Sequence, residues 1–376
     1  MGAIYFHIPF CKQACSYCNF HFSTSAKYKD HMLLAMKREL LIRKRELPSS
    51  PIKSIYFGGG TPSLLSAQEI KVLLDQVKAL FPIAEEVEVT LEINPDDNRE
   101  DYLAQIKEVG INRLSIGVQS FFEEELKQMN RAHSAHEAYL LLEEVGDYFN
   151  NFSLDLIYGM PLSSLSSWKK NIEIALGFSP PHISSYALTV EPKTLLNHQV
   201  ESQKINLLSE ENVVEQFNEL VKELTLKGYD HYELSNFGKP GFHSINNSSY
   251  WQGKPYLGIG PSAHSFFEQQ RSWNVSNNSQ YIKSLKSNTL PIEREKLSLV
   301  DQYNEYIMTG LRTSGGVDLD NIKQRFGDKF ALLFEKQAEK HLLNKHLYWD
   351  GDVIKCSQKA LFLVDGIASD LFLLNL

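Results

Sequence analysis

Three cysteines near the start of the chain carry the strongest chemical signal. Cys11, Cys15 and Cys18 are spaced C-x-x-x-C-x-x-C and follow directly on an apolar run at residues 3–8 that reads as a strand. Thiolate is a soft donor that suits iron–sulfur clusters, zinc or Cu(I). Ordinary electron-transfer clusters are held by four cysteines. Three in one loop can hold three corners of a cubane and leave one iron open, as a catalytic zinc leaves one position for water or substrate. A disulfide framework is disfavoured, because the local set is odd and the chain is long. Two readings remain: a zinc site made of the three cysteines with His7 or His21, and a [4Fe–4S] cluster with a vacant corner. The fourth cysteine, Cys356, stands alone near the C-terminus and reads as a buried thiol.

The rest of the composition bounds the answer. A chain of 376 residues, 43% hydrophobic and 22% charged, can hold one large domain and a smaller one. The net charge is −8 and no Lys/Arg-rich run occurs, which argues against a basic nucleic-acid-binding face. No apolar run approaches the length of a membrane span. The first residues lack the charged-then-apolar pattern of a signal peptide, so a reducing cytoplasm is the expected compartment.

The elements that must position the cysteines follow from periodicity. A helix is expected over 27–47, with Met32, Leu33, Ala35, Met36, Leu40 and Leu41 at helical spacing among Lys, Arg and Glu. A strand at 52–57 runs into Gly58-Gly59-Gly60-Thr61. Ser66 with Glu69 forms a capping box that opens the next helix. Further strands are expected at 87–93, 111–116, 152–157 and 182–190, with helices between them. This strand–helix alternation, repeated six times without tight hairpins, implies parallel strands with right-handed crossovers. Six units are too few for an ordinary closed eight-stranded barrel, and a partial (β/α)6 barrel is the expected α/β fold. The pattern then changes. A long amphipathic helix covers 209–227, and 236–265 is rich in Gly, Asn, Ser and Tyr and reads as loop. Helices near 300–311, 319–326 and 329–345 precede a hairpin around Asp350-Gly351-Asp352, a winged-helix-like arrangement. The expected organisation is a barrel over 1–230, a loop-rich connection over 231–290 that contains 246–251, and a C-terminal helical domain over 291–376.

In barrels of this kind chemistry gathers at the C-terminal strand ends, and each end here carries an unusual residue. The first leads to the cysteines and the second to three glycines, which allow close backbone approach. The third carries Glu92, the fourth Gln119, the fifth Asp155, and the sixth runs through Tyr186-Ala187. Singly each is unremarkable; together they converge on one mouth.

The cysteine spacing and the tyrosine before the last cysteine resemble the signature of the radical SAM superfamily. The resemblance extends over most of residues 3–265, through 5–18, 57–63, Glu92-Ile93-Asn94-Pro95, 117–121, Arg131-Ala132-His133, 155–161, 184–191 and 256–265, with 312–317 beyond it. Within that superfamily the chain is similar to the branch containing oxygen-independent coproporphyrinogen III oxidase and the HemW heme chaperone. The resemblance implies a [4Fe–4S] cluster on Cys11, Cys15 and Cys18, with S-adenosylmethionine chelating the open iron. It implies a cofactor site lined by Tyr5, Tyr17, Gly59, Gly60, Thr61, Glu92, Gln119, Arg131, Asp155 and Ala187. Glu92 and Asp155 would accept from the ammonium or ribose hydroxyls, and Arg131 would pair with the carboxylate. Tyr17 and Ala187 are expected to contribute mainly backbone contacts. One electron from a reductant protein would split the sulfonium C–S bond and give a 5′-deoxyadenosyl radical, chemistry that belongs to the cofactor.

Two features separate the branches. The oxidase has a sizeable segment before the first strand, whereas Tyr5 here lies at the very start. The oxidase also has a further cysteine two residues after the third, where this chain has Phe20. Both favour the chaperone, which would bind heme or a porphyrin and pass it to an acceptor protein; the alternative is oxidative decarboxylation of coproporphyrinogen. The chaperone branch has a His-Asn-x-x-Tyr-Trp motif linked to heme. This chain reads Asn246-Asn247-Ser248-Ser249-Tyr250-Trp251, so an amide replaces the imidazole, and His243 and His264 are the nearby candidates for an axial ligand. Tyr250 and Trp251 can still stack on a flat macrocycle.

Overall fold

The computed structural model describes residues 2–374; the outermost ends of the expected first and last regions, residue 1 and residues 375–376, lie outside the described residues. Six strands run parallel in chain order: β1 (Gly2–Ile8), β2 (Ile52–Gly59), β3 (Ile83–Ile93), β4 (Arg113–Gln119), β5 (Phe152–Tyr158) and β6 (His182–Ala187). Their outward side chains, such as Ile4, Phe6, Phe57, Leu91, Leu114, Ile116, Leu154 and Ile183, form one core with the crossover helices. The helix Ala67–Leu80 starts on the expected capping box, in which Ser66 and Glu69 bond each other's backbone amides.

The sheet is wider than the six-unit pattern implies. At one edge β6 pairs antiparallel with β8 (Asn236–Gly238), which pairs with β7 (Asp230–Glu233). At the other, β9 (Tyr256–Ile259) lies parallel beside β1, followed by antiparallel β10 (His264–Phe267), β11 (Gln270–Asn274) and β12 (Ile292–Lys296). The twelve-stranded order therefore runs open from β12 to β7. The stretch 236–265 is thus not loop: it supplies three short strands and the helix Ile245–Trp251. Strands of three or four residues carry too few positions for alternation to register. Gly258 in β9 has no room for a side chain, since a Cβ there would strike the His264 carbonyl.

A second core gathers the helices Leu299–Leu311, Leu319–Phe326 and Asp328–Leu343 with a small antiparallel sheet of β13 (Val317–Asp318), β14 (Leu347–Asp350) and β15 (Val353–Cys356). This is the helix–strand–helix–helix–hairpin order of a winged helix. Its turn after Leu311 docks on β7: Leu234 donates to the Arg312 carbonyl at 2.9 Å, and Ser314 donates to that of Tyr232 at 3.0 Å.

Candidate active site

The inward-facing positions of a small barrel are usually filled by branched apolar side chains. Here they are polar. β4 directs Arg113, Ser115, Gly117 and Gln119 inward at every second position, β5 directs Ser153 and Asp155, and β6 directs His182 and Ser184. Above them, at the C-terminal strand ends, lies a cavity of about 400 Å³. It is lined by Cys11, Cys15 and Cys18 and by nine of the ten residues expected at a cofactor site. The exception is Tyr5. Its ring stacks on Tyr56 and its hydroxyl lies 3.3 Å from Nδ1 of His7, so it backs the cavity wall rather than forming it. Tyr56, Asn94, Arg113, Ser115, Ser184 and Asn247 also line the cavity. Tyr56, Arg113, Ser115 and Ser184 lie on β2, β4 and β6, Asn94 follows β3, and Asn247 lies on the helix Ile245–Trp251.

The cysteine loop is tied to its neighbours. Ser16 donates to the Met129 carbonyl at 2.9 Å, Asn130 donates to the Ala14 carbonyl at 2.7 Å, and Lys12 pairs with Asp96 and Asp97 at 2.9 and 2.5 Å. All three thiols are free and half-buried. Burial pushes Cys11 up to about 11 and raises Cys18. The cation beside them is Arg131, whose Nη1 lies 3.3 Å from Cys15 Sγ and 3.4 Å from the Tyr17 hydroxyl. Its Nη2 donates to Asn94 and to the Gly117 carbonyl. The fork is therefore engaged within the protein, and only Nε is buried without a partner. The Tyr17 hydroxyl is taken up by Arg131 at the edge of the cavity.

The glycines serve packing as well as access. A Cβ on Gly59, whose φ is +108°, would lie 2.5 Å from Nδ1 of His7, and one on Gly60 would lie 2.6 Å from the Phe10 carbonyl. Gln119 has φ +66°, uncommon for a residue with a Cβ, and its side chain lines the cavity.

Two carboxylates face each other across the lumen. Glu92 accepts from the Tyr56 hydroxyl at 2.9 Å and from the Gly59 amide at 3.1 Å. Burial raises it to about 7, with the charge of Asp155 adding to the rise. Asp155 accepts from Ser115 at 3.0 Å and is raised by burial to about 6, against the pull of the Ser115, Ser184 and Ser153 hydroxyls and of Arg113. A carboxyl whose folded pKa exceeds its unfolded value binds its proton more tightly when folded. It therefore destabilises the fold as pH rises through that window, for Glu92 from about 4.5 to about 7. Glu92→Gln should leave the ligand-free protein equally stable near pH 5 and more stable than wild type at pH 8, by on the order of 1–3 kcal/mol. Chemical denaturation at both pH values checks this; a variant less stable at pH 8 than wild type contradicts it.

The donor set distinguishes the two metal readings. His7 is pushed by burial down to about 4 and spends both ring nitrogens, donating Nε2–H to the His21 carbonyl at 2.8 Å and accepting from Tyr5. His21 bonds Asn278 at 2.8 Å. Among the described residues no three His, Cys, Asp or Glu side chains converge closely enough to hold one metal ion. A single zinc needs all its sulfurs about 2.3 Å from one point, whereas a cubane offers each cysteine a separate iron. Three thiols round one cavity fit the cluster.

The sequence as a whole matches known proteins. The radical SAM superfamily profile covers residues 5–174, and the HemN C-terminal domain profile covers residues 297–363. The chain is 32% identical over 354 residues to the heme chaperone HemW of Bacillus subtilis (strain 168), spanning 92% of this chain and 93% of that protein. The chain belongs to the HemW family of radical SAM proteins. Escherichia coli (strain K12) HemW is 37% identical over 270 residues, 70% of this chain and 69% of its own. Among solved structures, coproporphyrinogen III oxidase (HemN) from Escherichia coli, a radical SAM enzyme, superposes with a TM-score of 0.85 at 23% identity, over 99% of this chain and 90% of that one. That likeness shows the fold: a radical SAM α/β domain followed by a C-terminal domain. Membership of the family implies a [4Fe–4S] cluster and S-adenosylmethionine. Among the described residues no helix is long and apolar enough to cross a membrane.

The family's Tyr-Trp pair lies elsewhere. Tyr250 and Trp251 line an outer groove of about 1210 Å³ between β9–β11 and the C-terminal domain, with Arg271, Tyr306, Arg325 and Phe326. Arg312 sits 5.2 Å over the Trp251 ring. Asn246 faces away from this groove, buried against Ser54, while its amide and that of Ile245 each donate to Glu88 at 3.1 Å. His243 pairs with Asp230 and stacks on Tyr232, and His264 lies beside Trp273; neither lines the cavity or the groove.

Proposed function

We propose that this chain is a heme chaperone in which Cys11, Cys15 and Cys18 hold the cluster and the lumen holds S-adenosylmethionine. The observation that carries the reading is the meeting of three free thiols with Glu92, Gln119, Arg131 and Asp155 round one cavity. Bound together, the cluster and the sulfonium cofactor supply one-electron chemistry. This chain's residues supply the setting. Glu92 and Asp155, whose ionised forms burial disfavours, gain a cationic partner when the ammonium and sulfonium enter, which favours those ionised forms. Gln119 and Thr61 offer polar groups to the amino-acid end. Arg131 keeps a fixed positive charge against the Cys15 thiolate. Glu92→Gln is accordingly expected to weaken S-adenosylmethionine binding while it stabilises the empty fold.

Heme is assigned to the outer groove, and its acceptor is a second protein. Support comes from the relatives, named as heme chaperones, and from the groove itself: it is three times the size of the cavity, faced with aromatic rings and set with guanidinium groups that suit propionates. A reductant protein serving the cluster and a cytoplasmic setting complete the proposal.

Hemin titration of the reconstituted protein, read by absorbance, tests the groove. Trp251→Ala should weaken binding about tenfold, the order of one lost aromatic stack, and His243→Ala should leave it unchanged. A large loss in His243→Ala with none in Trp251→Ala contradicts the assignment. Conversion of coproporphyrinogen under reducing, oxygen-free conditions would instead select the oxidase.

A further inference from the structure

Beneath the cavity lies a chain of buried polar groups that the cofactor reading leaves unused. Ser153 and His182 face each other in register on β5 and β6, both fully buried. Ser153 Oγ lies 2.7 Å from Nδ1 of His182, 3.1 Å from Ser184 Oγ and 3.4 Å from Oδ1 of Asp155. On the far side of the ring, Nε2 lies 2.7 Å from the Tyr232 hydroxyl. A histidine that merely fills a core commonly rests one nitrogen on a backbone carbonyl. This ring is bonded at both nitrogens to side chains, and the series ends on a carboxylate.

The direction of each proton can be derived. Burial, with Arg113 and His243 nearby, keeps His182 neutral, so the ring carries one proton. The Tyr232 hydroxyl is bonded to Nε2 of His182 at 2.7 Å, and a buried phenol gives its proton to an imidazole nitrogen that can accept it. The ring proton is then on Nδ1 and points at Ser153. The Ser153 hydroxyl is free to donate to Asp155 at 3.4 Å or to Ser184 at 3.1 Å. Donors aligned head to tail polarise one another. The relay is also anchored: Ser244 caps the helix Ile245–Trp251, and the Tyr232 carbonyl is held by Ser314.

We propose that Tyr232, His182 and Ser153 form a fixed hydrogen-bond relay that aims the Asp155 carboxylate at the ligand of the cavity, with His182 as a positioning residue. The proposal rests on the reading of Asp155 as a contact of S-adenosylmethionine. The other groups facing Asp155 are Arg113, Glu92, Tyr56 and Tyr186, and those facing His182 are Arg113, His243 and Tyr232.

The first test needs no cofactor. Imidazole 15N shifts of the ligand-free protein should show His182 as the Nδ1–H tautomer, and Tyr232→Phe should abolish that preference. The second is calorimetric titration of S-adenosylmethionine into the anaerobically reconstituted protein. Tyr232→Phe and Ser153→Ala should each weaken binding about three- to tenfold, the order of one ordinary hydrogen bond. Tyr232→Phe combined with Asp155→Asn should bind no worse than Asp155→Asn alone, because a residue that acts only through Asp155 has nothing left to affect. His182→Asn, which restores a donor toward Ser153, should bind more tightly than His182→Ala. An Nε2–H tautomer in the wild type, or wild-type affinity in both Tyr232→Phe and Ser153→Ala while Asp155→Asn is weakened, overturns the relay alone. Unchanged affinity in Asp155→Asn overturns the reading of Asp155 as well.

Discussion

Replacing Cys15 by serine should strip the reconstituted protein of nearly all its iron and acid-labile sulfide while leaving the fold intact. Cys15 is the thiol beside Arg131, with Sγ 3.3 Å from Nη1. An alkoxide forms far less readily than a thiolate and is a harder donor, so serine cannot hold the iron corner. The loop has independent anchors through Ser16, Asn130 and Lys12, so the backbone should stay in place. Cys356→Ser supplies the contrast. That thiol sits in β15, packed against the second core, and should affect neither iron nor sulfide. Metal and sulfide analysis of the two variants decides it; equal cluster content in Cys15→Ser and wild type would remove this cysteine as a ligand.

Glu39→Ala should be the most destabilising single change outside the cavity. Glu39 is wholly buried and accepts from Arg43 at 2.8 Å, the Gly260 amide at 2.9 Å, Asn274 at 2.7 Å and Tyr281 at 2.5 Å. Arg43, also buried, donates in turn to the Gly258 carbonyl at 2.9 Å and to Ser265 at 2.9 Å. The pair joins the helix Lys29–Arg43 to β9–β11. Removing the carboxylate leaves the buried guanidinium with only the half-exposed Glu46 as counter-ion and strands the buried donors of Gly260, Asn274 and Tyr281, which together cost about 3–5 kcal/mol, a large share of the 5–15 kcal/mol or so that a folded domain commonly has. A fall in Tm of on the order of 5–10 °C is expected. Glu46→Ala, which removes the half-exposed partner of the same arginine, should cost no more than about 1 kcal/mol. Equal losses in the two variants would show that burial is not what makes this pair matter.

That network illustrates what the sequence conceals. Glu39 and Arg43 are four apart on an amphipathic helix, a spacing that ordinarily marks a solvated pair. Their burial follows from β9–β11 lying beside β1, and those strands were illegible: β9 is four residues with a glycine inside, and β12 reads Ile-Glu-Arg-Glu-Lys with four of its five side chains exposed. The six central strands were legible because each is a longer apolar run followed by helical spacing. Their ends were misjudged where polar residues carried the strand onward, as in β4, which continues to Gln119. The site divides in the same way. Cysteines, glycines and acidic residues at strand ends stand out by type. Ser115, Ser153, Ser184 and His182 do not, since a serine at alternate positions of a strand signals nothing until the partner strand sets it beside Asp155. Asn246 shows the opposite failure. Its place in a motif suggested the heme site, yet its side chain is turned toward Ser54 on β2, and only Tyr250 and Trp251 reach the groove.

Electron paramagnetic resonance of the reduced, anaerobically reconstituted protein, before and after addition of S-adenosylmethionine, tests most directly whether a cluster held by three cysteines would leave one iron open to the cofactor. A [4Fe–4S] signal that changes on addition is the predicted result, because the cofactor must ligate the iron no cysteine holds. A protein that binds zinc without sulfide, or a cluster signal indifferent to S-adenosylmethionine, would contradict it.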